Sequence, residues 1–501
     1  ANMAMMSVDH PDILKFIVAK QDLSRFVNYN ISVKVTDEFM KLYKTNPAYW
    51  WSVTNSRTGK KYLLPKSIDI KTYALQDLIE EPDDLSSLNQ FDFWSAGDIF
   101  ELICKQAHET GEPGLCFTDR VNAADPGARA GLYKIKTSNP CSEQHLEPWG
   151  QCTLASIDLS KYMIEVAGGW IIDKSSLSLD INTTVRFLDN VIDATPYPVE
   201  EVKITAMKNR RVGLGPMGVA DALFIAGIRY DSQEGLRFCE DIASFIQTEA
   251  HKASEQLARL RGIPENVEKA GLTRRNMAVT NAAPTGTISI IADCSGGIEP
   301  IFSLAFERHV LRDRLGKSTN MIEVNKHFKR ALIEIDSNTE DGAKVAIDRA
   351  ARNGTIQNSP TESDTIKKIF RTARDISPEN HVLMQATWQK YVDNAISKTI
   401  NLPESASVED VINSYLASYD FGCKGITVYR DNCRKLQPMA LKLDKEPGSK
   451  STELSKSPVE VAEILDAKRI RQKTPFGNMH VHISVDEKTG KEVEVFAQLG
   501  K

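Results

Sequence analysis

Cysteine can serve as nucleophile, metal ligand, redox partner or radical carrier. In "SNPCSEQHLEPWGQCTL", Ser138 to Leu154, two cysteines lie eleven residues apart, Cys141 and Cys152. A carboxamide, Asn139, and a carboxylate, Glu143, flank the first of them. Pro140 favours an extended or looped backbone. In an extended segment residues 139, 141 and 143 share one side, so amide, thiol and carboxylate are expected to line one wall. The loop marked by Pro148 and Gly150 can turn the chain back and set Cys152 across from Cys141. His145 is close enough in sequence to act as the base of a Cys/His hydrolase. Free cysteine is also a common packing residue, so spacing alone leaves a reaction centre, a hydrolase and a structural cluster all open.

Two glycine-containing stretches invite a nucleotide reading. In "NAAPTGTISIIADCSGGIEP" the residues Thr285, Gly286 and Thr287 follow a proline and precede an apolar run, which is how a helix start presents N–H groups and hydroxyls to an anion. A plain capped helix fits the same residues. "GLGPMG", Gly213 to Gly218, satisfies the GxGxxG pattern, but that fingerprint requires a hydrophobic strand just before it. The preceding "KITAMKNRR" is basic and polar, so a turn or close helix packing is expected there instead. His480 and His482 share a face of an expected strand with no third metal ligand near them in sequence, and a metal site is not expected.

The elements that must position these residues alternate short apolar runs with amphipathic helices, an α/β signature. One helix is expected after Asp231, with Glu234 completing a capping box, and it runs to Gly262 and Pro264. A second starts at Ser377-Pro378-Glu379. A third, from about Val408 to Tyr419, leads into the strand "GITVYR". Residues 438–460 are rich in Lys, Ser, Pro and Glu and read as a linker. "NMHVHISV" and "KEVEVFAQL" around "DEKTG" read as a β-hairpin. The expected division is therefore 1–437, 438–460 and 461–501. With 501 residues, 41% hydrophobic content and 26% charge, the composition is that of a globular protein. A net charge of −5 and a pI near 6.1 give no basic footprint for a nucleic-acid polymer. No run approaches a membrane span and no leader pattern opens the chain, so a cytoplasmic protein is expected. Eight cysteines without a CxxC pair fit reduced thiols.

Four ordered stretches resemble ribonucleotide reductase catalytic subunits: "SNPCSEQ" with "CTLASIDLS", "AAPTGTISIIADCSGGIEP", "ISKTINLP" and "GCKGITVYRD". They are most similar to the adenosylcobalamin-dependent (vitamin B12-dependent, class II) enzymes. The resemblance reaches to about residue 440, and the C-terminal stretch from Phe476 resembles that class's C-terminal extension. It implies a ten-stranded α/β barrel, incomplete here at its N-terminus, with a finger loop carrying the radical cysteine into the centre and a small β-hairpin extension.

In that likeness Cys141 is the thiyl cysteine, Asn139 and Glu143 are its companions, and Cys152 is one of two reducing cysteines. Pro284, Thr285, Gly286, Thr287 and Ile288 match the substrate-phosphate loop, and Ser138 is a further substrate contact. The implied cofactor is adenosylcobalamin, and the implied substrate is a ribonucleotide, taken here as the diphosphate. The implied partners are a dNTP or ATP effector, a thioredoxin- or glutaredoxin-type reductant, an N-terminal half of the same enzyme and a second copy in a homodimer. Class I subunits carry adjacent tyrosines where this sequence has Val428 and Tyr429, which favours an internal cofactor. No counterpart of the second reducing cysteine is found, since Cys104 and Cys116 stand in other contexts. The first barrel strands, most of the effector site and the C-terminal cysteine pair also have no counterpart. The chain is thus expected to be incomplete alone, as a truncated record or one half of a split subunit. A class I large-subunit fragment and an inactive nucleotide-binding regulatory subunit are the alternatives.

Overall fold

The computed structural model describes residues 2–86, 88–309, 320–336, 339–433, 467–474, 477–485 and 492–499. The chain divides into two compact units, Ala1–Leu443 and Asp444–Lys501. The expected linker, 438–460, lies outside the described residues.

In the first unit β1 (Asn2–Ser7), β2 (Tyr29–Val35) and β3 (Gly114–Phe117) lie side by side and parallel. β2 is a good strand because Ile31, Val33 and Val35 alternate onto one face, where all three are buried. Val33 and Val35 pack in the same core as Ile99, Phe100 and Ile103 of helix α1 (Ala96–Thr110), which starts at a Ser95/Asp98 capping box and stops at the left-handed Gly111.

The chain then forms a short antiparallel hairpin, β4 (Thr137–Ser138) and β5 (His145–Leu146), and enters β6 (Thr153–Asp158). β6 pairs in parallel with β7 (Val212–Met217). β7 in turn meets the segment Ala278–Ala282, whose Ala282 bridges Ile396 just before β8 (Thr399–Leu402). β8 is parallel to β9 (Gly425–Arg430), and β9 closes antiparallel onto β3. Three rows thus run one way and five the other, in one continuous sheet order. The intervening helices cover it, among them α2 (Lys174–Ala194), α3 (Val219–Ala226) and α4 (Gln233–Arg261). Their apolar faces join β6 and β7 in a second core around Ile181, Leu214, Ile246 and Trp388.

The sequence expectations for "GLGPMG" and for the start of α4 need correction. "GLGPMG" is neither a turn nor helix packing: its first residues form β7, buried along its whole length, and Gly218 at φ +72° turns the chain into α3. The strand is short of β-formers and is stabilised by pairing on both sides, a tertiary override of local propensity. Helix α4 is capped one residue later than expected. Ser232 accepts from the Gly235 N–H at 3.0 Å, while Asp231 is engaged by Arg229. The helices at Pro378–Gln389 and Val408–Asp420 begin where their Ser377 and Ser407 caps predict.

The second unit is a three-stranded antiparallel sheet rather than a lone hairpin. β11 (Gly477–Val485) and β12 (Glu492–Leu499) are the expected strands, with β10 (Ala467–Thr474) added beside β11. β10, "AKRIRQKT", holds one large apolar residue, so it has no alternating signal to read.

Candidate active site

The hairpin β4–β5 carries the motif cysteine at its tip. Its register pairs Ser138 with His145. The turn is closed by the Asn139 N–H donating to the Gln144 carbonyl at 3.0 Å and the Gln144 N–H donating to Asn139 Oδ1 at 3.1 Å. Ser142 sits at φ +62° and donates its N–H to the Asn139 carbonyl at 3.0 Å. The segment is therefore a tight turn and not an extended wall, which corrects the expectation that 139, 141 and 143 share a strand face. The turn still gathers them: Cys141 is exposed, Glu143 is buried, and Asn139 is near enough to the Glu143 carboxylate to influence its titration. Ser138 Oγ is 3.0 Å from the Asn139 carbonyl and 3.4 Å from Ser142 Oγ, within the turn itself.

Both strand sets hold this finger. On one side Asn30 Nδ2 donates to the Pro140 carbonyl at 2.9 Å and Lys34 Nζ to the Lys136 carbonyl at 3.1 Å. On the other the Ala395 N–H donates to the Glu143 carbonyl at 3.0 Å. The residue before Ala395 is fixed in turn by buried Lys424 of "GCKGITVYRD". Its ammonium donates to the Asp393 carbonyl at 2.6 Å and to the Asn394 carbonyl.

Burial pushes the Glu143 carboxyl up, and the neighbouring Asn139 side chain works the other way. The atoms packed round the Cys141 sulfur raise its thiol, and the Glu143 charge raises it further. Cys152, just ahead of β6, is raised far above the usual thiol range by burial. The Arg211 charge opposes that rise, while Glu147 and Glu143 add to it. Glu143 thus acts on both thiols, and both carry their hydrogen at neutral pH. That is the wrong state for a nucleophile, which must be thiolate. It is the right one for a thiol that gives up a hydrogen atom. The hydrolase alternative also loses its base: His145 is buried, its Nε2 lies 3.4 Å from Cys116 Sγ, and burial with the nearby Lys424 charge pushes it down to about 3.

Sequence reasoning missed the residues that anchor the finger's base. Arg211, fully buried, donates to Glu147 Oε2 at 2.7 Å, Asp125 Oδ2 at 2.7 Å and the Tyr133 hydroxyl at 2.6 Å. Asn209 Nδ2 holds the other Glu147 oxygen. The polar "KNRR" run that argued against a strand is thus the source of the site's buried cation. Lys398 of "ISKTINLP" donates to Glu299 Oε2 of "GGIEP" at 2.9 Å and to His381 Nδ1 at 2.8 Å. Glu299 Oε1 accepts from the Thr399 N–H at 2.6 Å, so the motifs that stand far apart in sequence meet in space.

The "PTGTI" stretch turns at Thr285, φ +54°, into a short helix, α5 (Ile288–Ala292). Thr285 is buried and its Oγ1 accepts from the Gly297 N–H at 2.8 Å, while Gly286, Thr287 and Ile288 are exposed. Their N–H groups stand at a helix start, where no intrahelical partner exists. Strained left-handed backbone at non-glycine residues recurs in these motifs, at Ser142, Trp149 and Thr285, as it does at functional sites generally. Among the described residues no group of three or more His, Cys, Asp or Glu side chains could hold a metal ion, and no helix is long and apolar enough to cross a membrane. The side chains of His480 and His482 lie outside the described set.

Opposed sets of parallel strands gripping a cysteine-tipped finger define an α/β barrel built round a neutral thiol beside a buried carboxylate. The chain belongs to the ribonucleotide reductase family: the profile described as "Ribonucleotide reductase, barrel domain" matches residues 1–272 and 262–429. A vitamin B12-dependent ribonucleoside-diphosphate reductase of Thermoplasma acidophilum is 40% identical over 443 residues, 87% of this chain and 52% of that protein. One of Mycobacterium tuberculosis is 36% identical over 446 residues, 88% of this chain and 58% of that protein. The chain therefore spans about half the length of these relatives. Among solved structures the class Id ribonucleotide reductase alpha subunit of Actinobacillus ureae matches the fold with a TM-score of 0.65 at 21% identity, over 86% of this chain and 70% of that one.

Proposed function

We propose that this chain is the barrel portion of an adenosylcobalamin-dependent ribonucleoside-diphosphate reductase, which replaces the ribose 2′-hydroxyl of ribonucleotides by hydrogen for DNA synthesis. The observation that carries the reading is the finger turn, where a neutral exposed Cys141 thiol stands beside the buried Glu143 and the half-buried Asn139.

The donor set fits the cofactor, because an S–H held at the finger's surface is what a radical-generating group needs to meet. Val428, buried in β9, stands where class I subunits carry one of their two tyrosines. Bound adenosylcobalamin would supply the acceptor for the Cys141 hydrogen atom, with Cys141 the residue facing it. In its thiyl form Cys141 abstracts the ribose 3′-hydrogen. Glu143, its proton affinity raised by burial, takes the 3′-hydroxyl proton, and Asn139 orients the sugar hydroxyls. The 2′-hydroxyl leaves as water while two thiols are oxidised to a disulfide, Cys152 being one of them. Pro284 to Ile288, with the N–H groups of the exposed Gly286, Thr287 and Ile288, hold the substrate phosphates, and Ser138 lies beside the sugar. A dNTP or ATP effector, a thioredoxin- or glutaredoxin-type reductant, an N-terminal half and a second copy of the enzyme complete the reading.

The test is ribonucleotide reduction with adenosylcobalamin and a dithiol, comparing the chain alone, the chain with a supplied N-terminal half, and that mixture carrying Cys141→Ser. Activity confined to the complemented wild type is expected. Turnover surviving Cys141→Ser would refute the thiyl assignment, and no turnover anywhere would favour a regulatory subunit or a class I fragment.

A further inference from the structure

The buried cations Arg211 and Lys20 are set against carboxylates, Arg211 against Glu147 and Asp125 and Lys20 against Glu112. Lys424 is used differently. It is 7% exposed, and the hydrogen bonds of its ammonium run to main-chain carbonyls, those of Asp393 and Asn394. The charged groups near it are Asp393, Asp125 and Arg211, and on the finger side it stands close enough to His145 to disfavour the imidazolium. Burying an ammonium is costly, while a hydrogen bond from a charged donor is about twice as strong as a neutral one. The cost is met at one point of the backbone, and what that point holds is informative.

Residues 393–398 form a strap that ties the finger to the barrel wall. The Asp393 N–H donates to Thr280 Oγ1 at 3.0 Å and the Asn394 N–H to the Thr280 carbonyl at 3.0 Å. The Ala395 N–H donates to the Glu143 carbonyl at 3.0 Å, while the Ala395 carbonyl accepts from the Ala282 N–H at 3.2 Å. Ser397 returns the contact, its N–H donating to the Ala282 carbonyl at 2.9 Å. Ala395 is thus shared between the finger and the wall, and the two residues before it are the ones that Lys424 grips. We propose that Lys424 is a positioning residue for Glu143: by holding the Asp393 and Asn394 carbonyls it fixes the Ala395 N–H, and through it the backbone of Glu143, so that the carboxylate keeps its place beside the Cys141 thiol. This rests on the function proposed above, in which Glu143 takes a proton and Cys141 gives up and takes a hydrogen atom. Such transfers need reacting groups held to within a fraction of an ångström. A hairpin with two residues in each strand cannot supply that rigidity alone, and the strap supplies it from the opposite set of strands.

The experiment follows alkylation of Cys141 by iodoacetamide across pH in the intact enzyme, read on the Cys141 peptide by mass spectrometry, for wild type, Lys424→Met and Lys424→Arg, each with and without Glu143→Gln. Thiolate is the reactive form, and the Glu143 charge disfavours it, so the pH midpoint reports whether carboxylate and thiol stay together. Lys424→Met is expected to lower the midpoint, with alkylation at neutral pH about tenfold faster for each unit, and Lys424→Arg to restore it in part. With Glu143→Gln already present Lys424→Met should add nothing, because the group it positions is gone. Turnover of the complemented enzyme should agree, kcat falling about 10–10²-fold in Lys424→Met while KM for the ribonucleoside diphosphate stays unchanged. A wild-type midpoint in Lys424→Met, or an equal shift with and without Glu143→Gln, would overturn the inference and leave Lys424 a packing residue. Should Lys424→Met fail to fold, Lys424→Gln, which keeps a neutral donor, is expected to shift the midpoint the same way by less, and no shift there would overturn the inference equally. A wild type without turnover would defeat the proposed function, while the alkylation profiles would still decide the positioning.

Discussion

At the scale of the residue, the site rests on Glu143 being buried and Cys141 being neutral. Burial raises the Glu143 carboxyl, so activity should fall, as pH is lowered, at a pH above that of an ordinary carboxylate, because in the proposed reaction the protonated acid cannot accept the 3′-hydroxyl proton. Glu143→Gln should cut kcat by about 10²–10⁴-fold and remove that acid limb from the residual rate. An unshifted limb in the variant would show that another group titrates. The types and spacing of Asn139, Cys141 and Glu143 were legible in the sequence, and the motif order identified them. Their geometry was not, because a left-handed Ser142 turns the chain where alternation of an extended strand was expected.

At the scale of the element, the finger is a two-strand hairpin with two residues in each strand, far too short to stand alone. It is fixed by its attachments, above all Arg211 between Glu147 and Asp125. Arg211→Met should strand two buried carboxylates and cost about 3–5 kcal/mol of stability, measured by urea unfolding. Adding Glu147→Gln and Asp125→Asn should recover part of the loss, and failure to recover any would place the cost in packing instead. The helices with Ser caps, at Ser377 and Ser407, were readable because a cap is a local device. β7 and β10 were not, since a glycine-rich strand and a basic one acquire their state from neighbours that local patterns do not contain.

At the scale of the whole molecule, two strand sets of opposite direction enclose polar groups that a smaller fold could not bury. His145 reports on that enclosure. Its folded value is pushed down to about 3 from an ordinary 6.5, so between those limits the unfolded chain binds a proton that the native chain refuses. Stability must fall as pH drops from about 6.5 toward 3, and this contribution is absent above 6.5. His145→Gln should lose less stability than the wild type over that window in urea titrations at successive pH values, and parallel curves would show that His145 is charged in the native state. By itself the sequence determined the α/β class, the family and the identities of the motif residues, because periodicity, caps and ordered motifs are properties of the chain. Only the tertiary structure decided that Arg211 and Lys424 hold the site. Each is polar and unremarkable in its own stretch, and acquires its meaning from burial against residues tens of positions away.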